Sequence, residues 1–166
     1  RGTLAAERAS VWALDLSRQG GMAGKMLGNR DQRVRVGDFV TAGFEKPSTA
    51  DCLTIELRDR GVLHDSVHLG RVLARMLQLP RRYRLAWKET RGSAPVFVWA
   101  LEPPSDAFVP LGMVATPSAE PPAPDTARCV PRTWCEPATE EGMQRVWQDG
   151  RAGGLWRGGR AGPPGA

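Results

Sequence analysis

The chain has few of the residues from which active sites and membrane spans are built. Its 166 residues include three cysteines and two histidines. Cys52, Cys129 and Cys135 are odd in number, and Cys129 and Cys135 lie too far apart for a CxxC zinc or redox motif. Reduced, buried thiols in a cytosolic protein are the expectation. No apolar run approaches the ~20 residues that a membrane-spanning helix needs, and no secretory leader is visible. His64 and His68 stand one helical turn apart, but no further Cys or His lies nearby, and zinc takes three or four protein ligands. They read as surface histidines. The Gly-rich run Gly20–Lys25 is followed by Met26, where a phosphate-cradling loop requires Ser or Thr. Glu140–Glu141, and Glu7 with Asp15, have no His or Cys companion placed for acid–base or nucleophilic work. These absences leave no catalytic, cofactor-binding or metal-ligating residue to nominate, and predict a protein that is not an enzyme and carries no cofactor.

The chain is rich in turn formers and in internal likeness. Nineteen glycines and 14 prolines favour short strands and turns over long helices. Val11–Asp15 reads VWALD and Val98–Glu102 reads VWALE. After each comes a Gly that opens a β-like run, Gly37–Thr41 and Gly112–Thr116. A Pro follows ten residues after that Gly (Pro47, Pro122), and then a Cys in an apolar stretch (Cys52, Cys129). Repetition on this scale predicts an array of related modules, an architecture used more for binding than for catalysis. The first residue is Arg1, and the last stretch is Gly- and Arg-rich, so the sequence reads as a piece of something longer.

Period-two alternation predicts strands around Trp12–Leu14, at Val34–Val40 and at Leu53–Leu57, the last two joined by a turn at Gly43–Ser48. Leu69, Val72, Leu73, Met76 and Leu77 fall on one helical face, with Arg71 and Arg75 outside and Pro80 as the stop. Tyr83, Leu85 and Trp87 alternate as a strand, and Val96–Trp99 forms another, halted by Pro103 and Pro104. Phe108–Val109, Leu111 and Val114 continue the sheet, and the Pro-rich 118–127 segment is an exposed loop. Arg128–Val130 re-enters the sheet, and the residues from about Gly150 read as disordered. Equivalent repeat positions favour a buried role for most of the six tryptophans (Trp12, Trp87, Trp99, Trp134, Trp147 and Trp156) over ligand stacking.

The ordered string Pro80, Tyr83, Trp87, Trp99, Pro103, Pro104, Leu111, Gly112, Pro121, Pro122 and Cys129 resembles the repeat of the vacuolar protein sorting-associated protein thirteen family, also called the vacuolar protein sorting sixty-two repeat. An earlier copy keeps Gly37, Asp38, Pro47 and Cys52. A third begins at VWQDGRAGGLWR, with Trp147 matching Trp87 and Trp156 matching Trp99. The resemblance covers roughly residues 34–157. It departs from the pattern after Trp156, where the family's Asn is missing.

The resemblance implies an all-β fold of tandem β-sandwich-like repeat modules with one short helix in an insertion. Three segments follow from it: a degraded copy at 1–82, the best-preserved copy at 83–138, and the start of a further copy at 139–166 that runs into a disordered end. It also implies a non-enzymatic, adaptor-binding repeat region of a large bridge-like lipid-transfer protein. The partners would be proline-containing adaptor peptides. The location would be cytoplasmic and, through the parent protein, peripheral at organelle membranes and contact sites. Which residues touch such a peptide is unknown from the sequence, and no nucleic acid is expected on this reading. The alternative rests on charge. The net charge is +5, with arginines gathered at Arg71, Arg75, Arg81, Arg82 and Arg84 and again at Arg145, Arg151, Arg157 and Arg160. Such clusters suit a basic module that binds anionic lipid or nucleic acid.

Overall fold

A computed structural model describes residues 8–13, 32–48, 54–57, 69–90, 94–149 and 153–158. Within them the chain is all-β, with one short α-helix and two single-turn 3-10 helices, Arg132–Trp134 and Glu140–Gly142. The strands are β1 (Ala9–Trp12), β2 (Gln32–Arg35), β3 (Phe39–Ala42) and β4 (Thr54–Leu57). After helix α1 (Leu69–Met76) come β5 (Arg82–Glu89), β6 (Val96–Glu102), β7 (Phe108–Val109), β8 (Met113–Thr116) and β9 (Val130–Pro131). A hairpin of β10 (Met143–Asp149) and β11 (Gly153–Gly158) follows. The strand at Gly153–Gly158 replaces the disorder expected from Gly150 onward: Leu155 and Trp156 supply apolar side chains, and Gly153, at φ +135°, takes a backbone conformation that suits glycine.

Every pairing is antiparallel. β5, β6 and β8 form a three-stranded sheet in that order, and β1 with β3, β2 with β4, β7 with β9 and β10 with β11 form pairs. The turn at Gly43 exists, with Gly43 at φ +76°. It does not make the expected hairpin, because β3 pairs with β1 and β4 with β2. Likewise β7 leaves the sheet of β6 and β8 to pair with β9. Alternation along a strand specifies which face is buried but says nothing about which strand lies beside it.

The register exposes the internal repetition more sharply than the sequence does. Trp12 lies opposite Phe39, and Trp99 opposite Val114. Val34 faces Ile55 as Val109 faces Val130. The same sequence interval separates Gly37 from Gly112, Val34 from Val109 and Ile55 from Val130. On this register Thr54, and not Cys52, takes the place that Cys129 holds in the second copy; Cys52 itself lies outside the described residues.

Two apolar clusters hold these strands. Val34, Val36, Leu77 and Val130 form one, with Ile55, Leu57, Leu73, Val109 and Cys135 packed against it. Leu101, Val114, Ala127 and Cys129 form the other, with Tyr83 and Phe108 at its side. The first cluster draws on β2, α1 and β9, which joins the two copies through side chains. Backbone bonds do the same: Arg128 N–H donates to the Arg35 carbonyl at 3.0 Å, and Cys129 N–H to that of Gln78 at 2.8 Å. In α1, Leu73 is half-buried and Arg71 and Arg75 are exposed, as the helical face predicts, but Met76 is exposed too.

Burial also decides thiol chemistry. Cys129 is fully buried and desolvation pushes its thiol pKa up, whereas Cys135 is only partly covered; both are free. Thiolate is the reactive form. Brief alkylation of the native chain followed by peptide mapping is therefore expected to label Cys135 and spare Cys129, with Cys129 labelled once denaturant is present. Equal labelling in the native state would contradict the buried position.

Candidate binding edges

Two of the tryptophans, Trp12 and Trp99, act as clamps between strands. Trp12 Nε1–H donates to Thr41 Oγ1 at 2.8 Å, and Trp99 Nε1–H donates to Thr116 Oγ1 at 2.9 Å. Each threonine hydroxyl then donates onward to a backbone carbonyl, Thr41 to Glu45 at 3.3 Å and Thr116 to Ser118 at 2.8 Å. In both copies the threonine sits opposite the residue two before the tryptophan: Thr41 faces Ser10 and Thr116 faces Phe97. The indole thus leans along its own strand to reach a hydroxyl on the next. A buried indole N–H needs such an acceptor.

The β10–β11 hairpin repeats the first half of this arrangement. In the β5–β6 pair, Leu85 faces Trp99, the register shifts, and Trp87 faces Val98. In the hairpin, Arg145 faces Trp156, the register shifts, and Trp147 faces Leu155. A β-bulge thus occupies the same position in both, one residue before Trp87 and one before Trp147. The two bulge-flanking rings meet, Trp87 and Trp147 having centroids 5.6 Å apart. The second half is different. β8 covers β6, and Trp99 is 5% exposed, whereas among the described residues β11 pairs with β10 alone and Trp156 is 52% exposed. The expectation of a buried role therefore holds for Trp99, holds in part for the half-buried Trp12, Trp87 and Trp147, and fails for Trp134 and Trp156.

Among the described residues, a second edge with no strand beyond it lies at β5, the outer strand of the three-stranded sheet. Arg82, Arg84, Leu85, Ala86 and Lys88 on this strand are exposed. The arginine cluster read from the sequence is partly neutralised here. Arg82 Nε lies 2.6 Å from Glu102 Oε2, and Arg84 Nε lies 3.8 Å from Glu102 Oε1. The hydrogen bond from Arg82, with added attraction from Arg84 and Arg81, holds the Glu102 carboxyl below its usual range. Arg71, Arg75 and Arg81 complete the exposed basic surface. The second cluster is also engaged: Arg145 Nη1 donates to Gln148, and Arg157 Nε donates to Gln144 while its guanidinium sits 5.6 Å from the Phe39 ring centre. Arg151 and Arg160 lie outside the described residues.

His64 and His68, Gly20–Met26, Glu7 and Asp15 also lie outside the described residues. Among the described residues, no group of three or more His, Cys, Asp or Glu is placed to hold a metal ion, and no helix is long and apolar enough to cross a membrane. An open depression between α1 and the following loop is lined by Leu73, Ala74, Gln78, Leu79 and Arg128.

Asp38, read from the sequence only as a position of the repeat pattern, carries a charge on a side chain that is almost fully covered. Asp38 Oδ1 accepts from Arg35 Nε at 2.7 Å, and Asp38 Oδ2 accepts from the Ala115 N–H at 2.8 Å. Asp38 N–H also donates to the Met113 carbonyl at 2.8 Å. Desolvation pushes the Asp38 carboxyl pKa up, opposed by the Ala115 N–H and by Arg35. This residue ties β8 of the second copy to the loop that opens β3 of the first.

The fold and its edges define an all-β module of repeated, tryptophan-clamped strand pairs. No family model matches the chain, and no curated protein matches it. Among solved structures it is similar to GNIP1Aa from Chromobacterium piscinae, with a TM-score of 0.59 and 22% sequence identity. The match covers 95% of this chain and 27% of that one. At that identity the likeness speaks for the fold alone, and this chain spans a minor part of the other protein's length.

Proposed function

We propose that the chain is a non-enzymatic binding region that takes extended, proline-containing adaptor peptides along an open sheet edge. It would serve as the adaptor-binding repeat region of a large lipid-transfer protein at organelle membranes. The observation that carries the binding role is the uncovered β5 edge: eight residues long, with no strand beyond it among the described residues and exposed side chains along it. An added strand gains affinity from main-chain hydrogen bonds and specificity from alternate side chains. A proline-containing peptide is already extended and loses little conformational freedom on docking. The adaptor and lipid-transfer context is supported by the sequence resemblance.

The test is an array of overlapping proline-containing peptides probed with the full chain, each hit then titrated at low and moderate salt. Binding is expected to tolerate salt and to weaken roughly tenfold in Leu85→Asp, the size of losing one well-packed apolar contact. Leu85 is already partly exposed, so this variant keeps its fold. Affinity that collapses with salt, and falls in Arg71→Glu or Arg75→Glu instead, supports the basic-surface alternative.

A further inference from the structure

The depression between α1 and the loop before β5 combines an apolar lining with a fixed cation. Leu73, Ala74 and Leu79 line it together with Gln78 and Arg128, around a volume of about 510 Å³. Arg128 is half-buried, and its Nη1 donates to the Leu77 carbonyl at 2.8 Å. Its backbone N–H donates to the Arg35 carbonyl, and the N–H of Cys129 beside it to that of Gln78. These bonds hold the guanidinium against the end of α1 and leave its remaining N–H groups without an acceptor among the described residues. A held guanidinium with free donors suits a carboxylate, which it can meet with two parallel hydrogen bonds.

The surroundings carry one sign of charge. From Leu69 to Lys88 the sequence has six Arg and Lys and no Asp or Glu, so any anion has to come from elsewhere. Glu102 supplies one to Arg82 and Arg84. Among the described residues, no carboxylate lies within ion-pair distance of Arg71, Arg75 or Arg128. Apolar surface continues beside the depression: Leu79 is 37% and Met76 40% exposed, and Met76 stands one turn along α1 from Leu73.

We infer that this depression docks an acidic segment of a partner protein that carries a large apolar side chain next to an Asp or Glu. The apolar side chain packs against Leu73 and Leu79, the carboxylate meets Arg128, and Arg71 and Arg75 attract further acidic residues. Because Arg128 is half-buried, its anion has to reach into the depression together with the apolar group. A short stretch of peptide brings both on adjacent side chains. Nucleic acid has the anion without the apolar side chain, and a bilayer holds its apolar part beneath its phosphates. A second copy of this chain fits less well. Among the described residues its most exposed large apolar side chain is Phe44, next to Glu45, but Arg8 sits over that ring and Lys46 follows, and the basic rim repels both. The depression takes no residue of β5, so the inference goes beyond the strand-edge reading.

The probe is a synthetic peptide with a Glu-Leu-Glu core between Gly-Ser flanks, blocked at both ends. It is titrated into the full chain carrying 13C-labelled leucine methyl groups. The Leu79 signal is identified by its loss in Leu79→Ile, which keeps the lining apolar. Saturable movement of the Leu79 signal is expected. A Gln-Leu-Gln core should bind roughly tenfold more weakly, the effect of losing a hydrogen bond to a charged group. A Glu-Ser-Glu core should lose a similar factor, since no large apolar side chain is then buried. Arg128→Lys keeps a donor for the Leu77 carbonyl, and should weaken the Glu-Leu-Glu peptide and narrow its advantage over Gln-Leu-Gln. Leucine signals away from the depression report whether that variant is folded, and the Gln-Leu-Gln comparison on the parent chain stands without it.

Equal binding of the Glu and Gln peptides overturns the inference, as does a folded Arg128→Lys that binds as the parent does. Movement of the Leu79 signal by phosphatidylserine vesicles or a single-stranded oligonucleotide, with none by the peptide, overturns it in favour of the basic-surface alternative. A Leu79 signal that shifts with protein concentration alone, and ceases to in Phe44→Ser, overturns it by making the occupant a second copy. The two readings fail separately: array hits that depend on Leu85, with a silent Leu79 signal, preserve the strand-edge reading and sink this one. A Leu79 response to the Glu-Leu-Glu peptide with no array hit does the reverse.

Discussion

Gly37→Val is expected to destabilise the chain by about 3 kcal/mol or more and to lower its thermal midpoint by roughly 6–12 °C. A Cβ at Gly37 would stand 2.8 Å from the Cα of Gly112, and one at Gly112 would stand 3.1 Å from the Cα of Gly37. The obstacle is backbone on both sides, so no rotamer change relieves it. Moving the backbone would disturb the Asp38 N–H bond to the Met113 carbonyl, one residue away on each strand. Gly37→Ala should show a smaller loss in the same direction. Thermal unfolding followed by far-ultraviolet circular dichroism measures both. A Gly37→Val midpoint within a degree or two of the parent would show that the two copies do not approach as closely as described.

That contact explains what the sequence made legible and what it hid. Gly37 and Gly112 stand out in the sequence because each opens a β-like run, and the structure gives them a shared reason to be glycine. Repetition marks equivalent positions; it does not say that two equivalents touch. The Trp–Thr clamps were half-legible: the tryptophans and the Gly-to-Thr runs were both visible, but the bonds join residues 29 apart in one copy and 17 apart in the other. The Cys52–Cys129 equivalence failed for a related reason, since counting from conserved-looking letters ignores the register that pairs Val34 with Ile55.

Exposure of Trp156 was hidden in a different way. Its local sequence resembles that of Trp99, and burial of Trp99 comes from a strand more than ten residues later, a non-local term that no window around Trp156 contains. The arginine cluster misled in part because Glu102, across the β5–β6 ladder, was absent from any linear count of neighbours. Asp38 was visible as a position of the repeat pattern, but its role was not: at the matching place the second copy has Met113, so repetition gives no hint that this carboxylate reaches across to Ala115.

Asp38→Ala is expected to cost about 3–5 kcal/mol, because it removes one partner of a buried ion pair and strands the other. The side chains of Arg35 and Asp38 are 13% and 3% exposed. Loss of the carboxylate leaves the Arg35 guanidinium without its anion and the Ala115 N–H without its acceptor. Asp38→Asn retains an acceptor for Ala115 and should cost less. Pairing Asp38→Ala with Arg35→Met should recover part of the loss, since the stranded cation is then gone; a strictly additive double variant would argue against direct coupling. The pH dependence has a definite sign. The unfolded carboxyl titrates near 3.8, and burial raises the native value above that. As pH rises through this window the unfolded chain releases the proton first, so the native state binds more protons and unfolding becomes easier with pH on account of this group. Its contribution is thus most favourable below 3.8 and is lost as pH passes the raised native value. The stability difference between the parent and Asp38→Asn, in which contributions such as that of Glu102 cancel, should therefore shift against the parent as pH rises across that window. Denaturant unfolding at a series of pH values measures it. A difference that moves in the parent's favour would mean that Arg35 and the Ala115 N–H outweigh desolvation, and that the buried carboxylate stabilises the joint between the two copies through its charge.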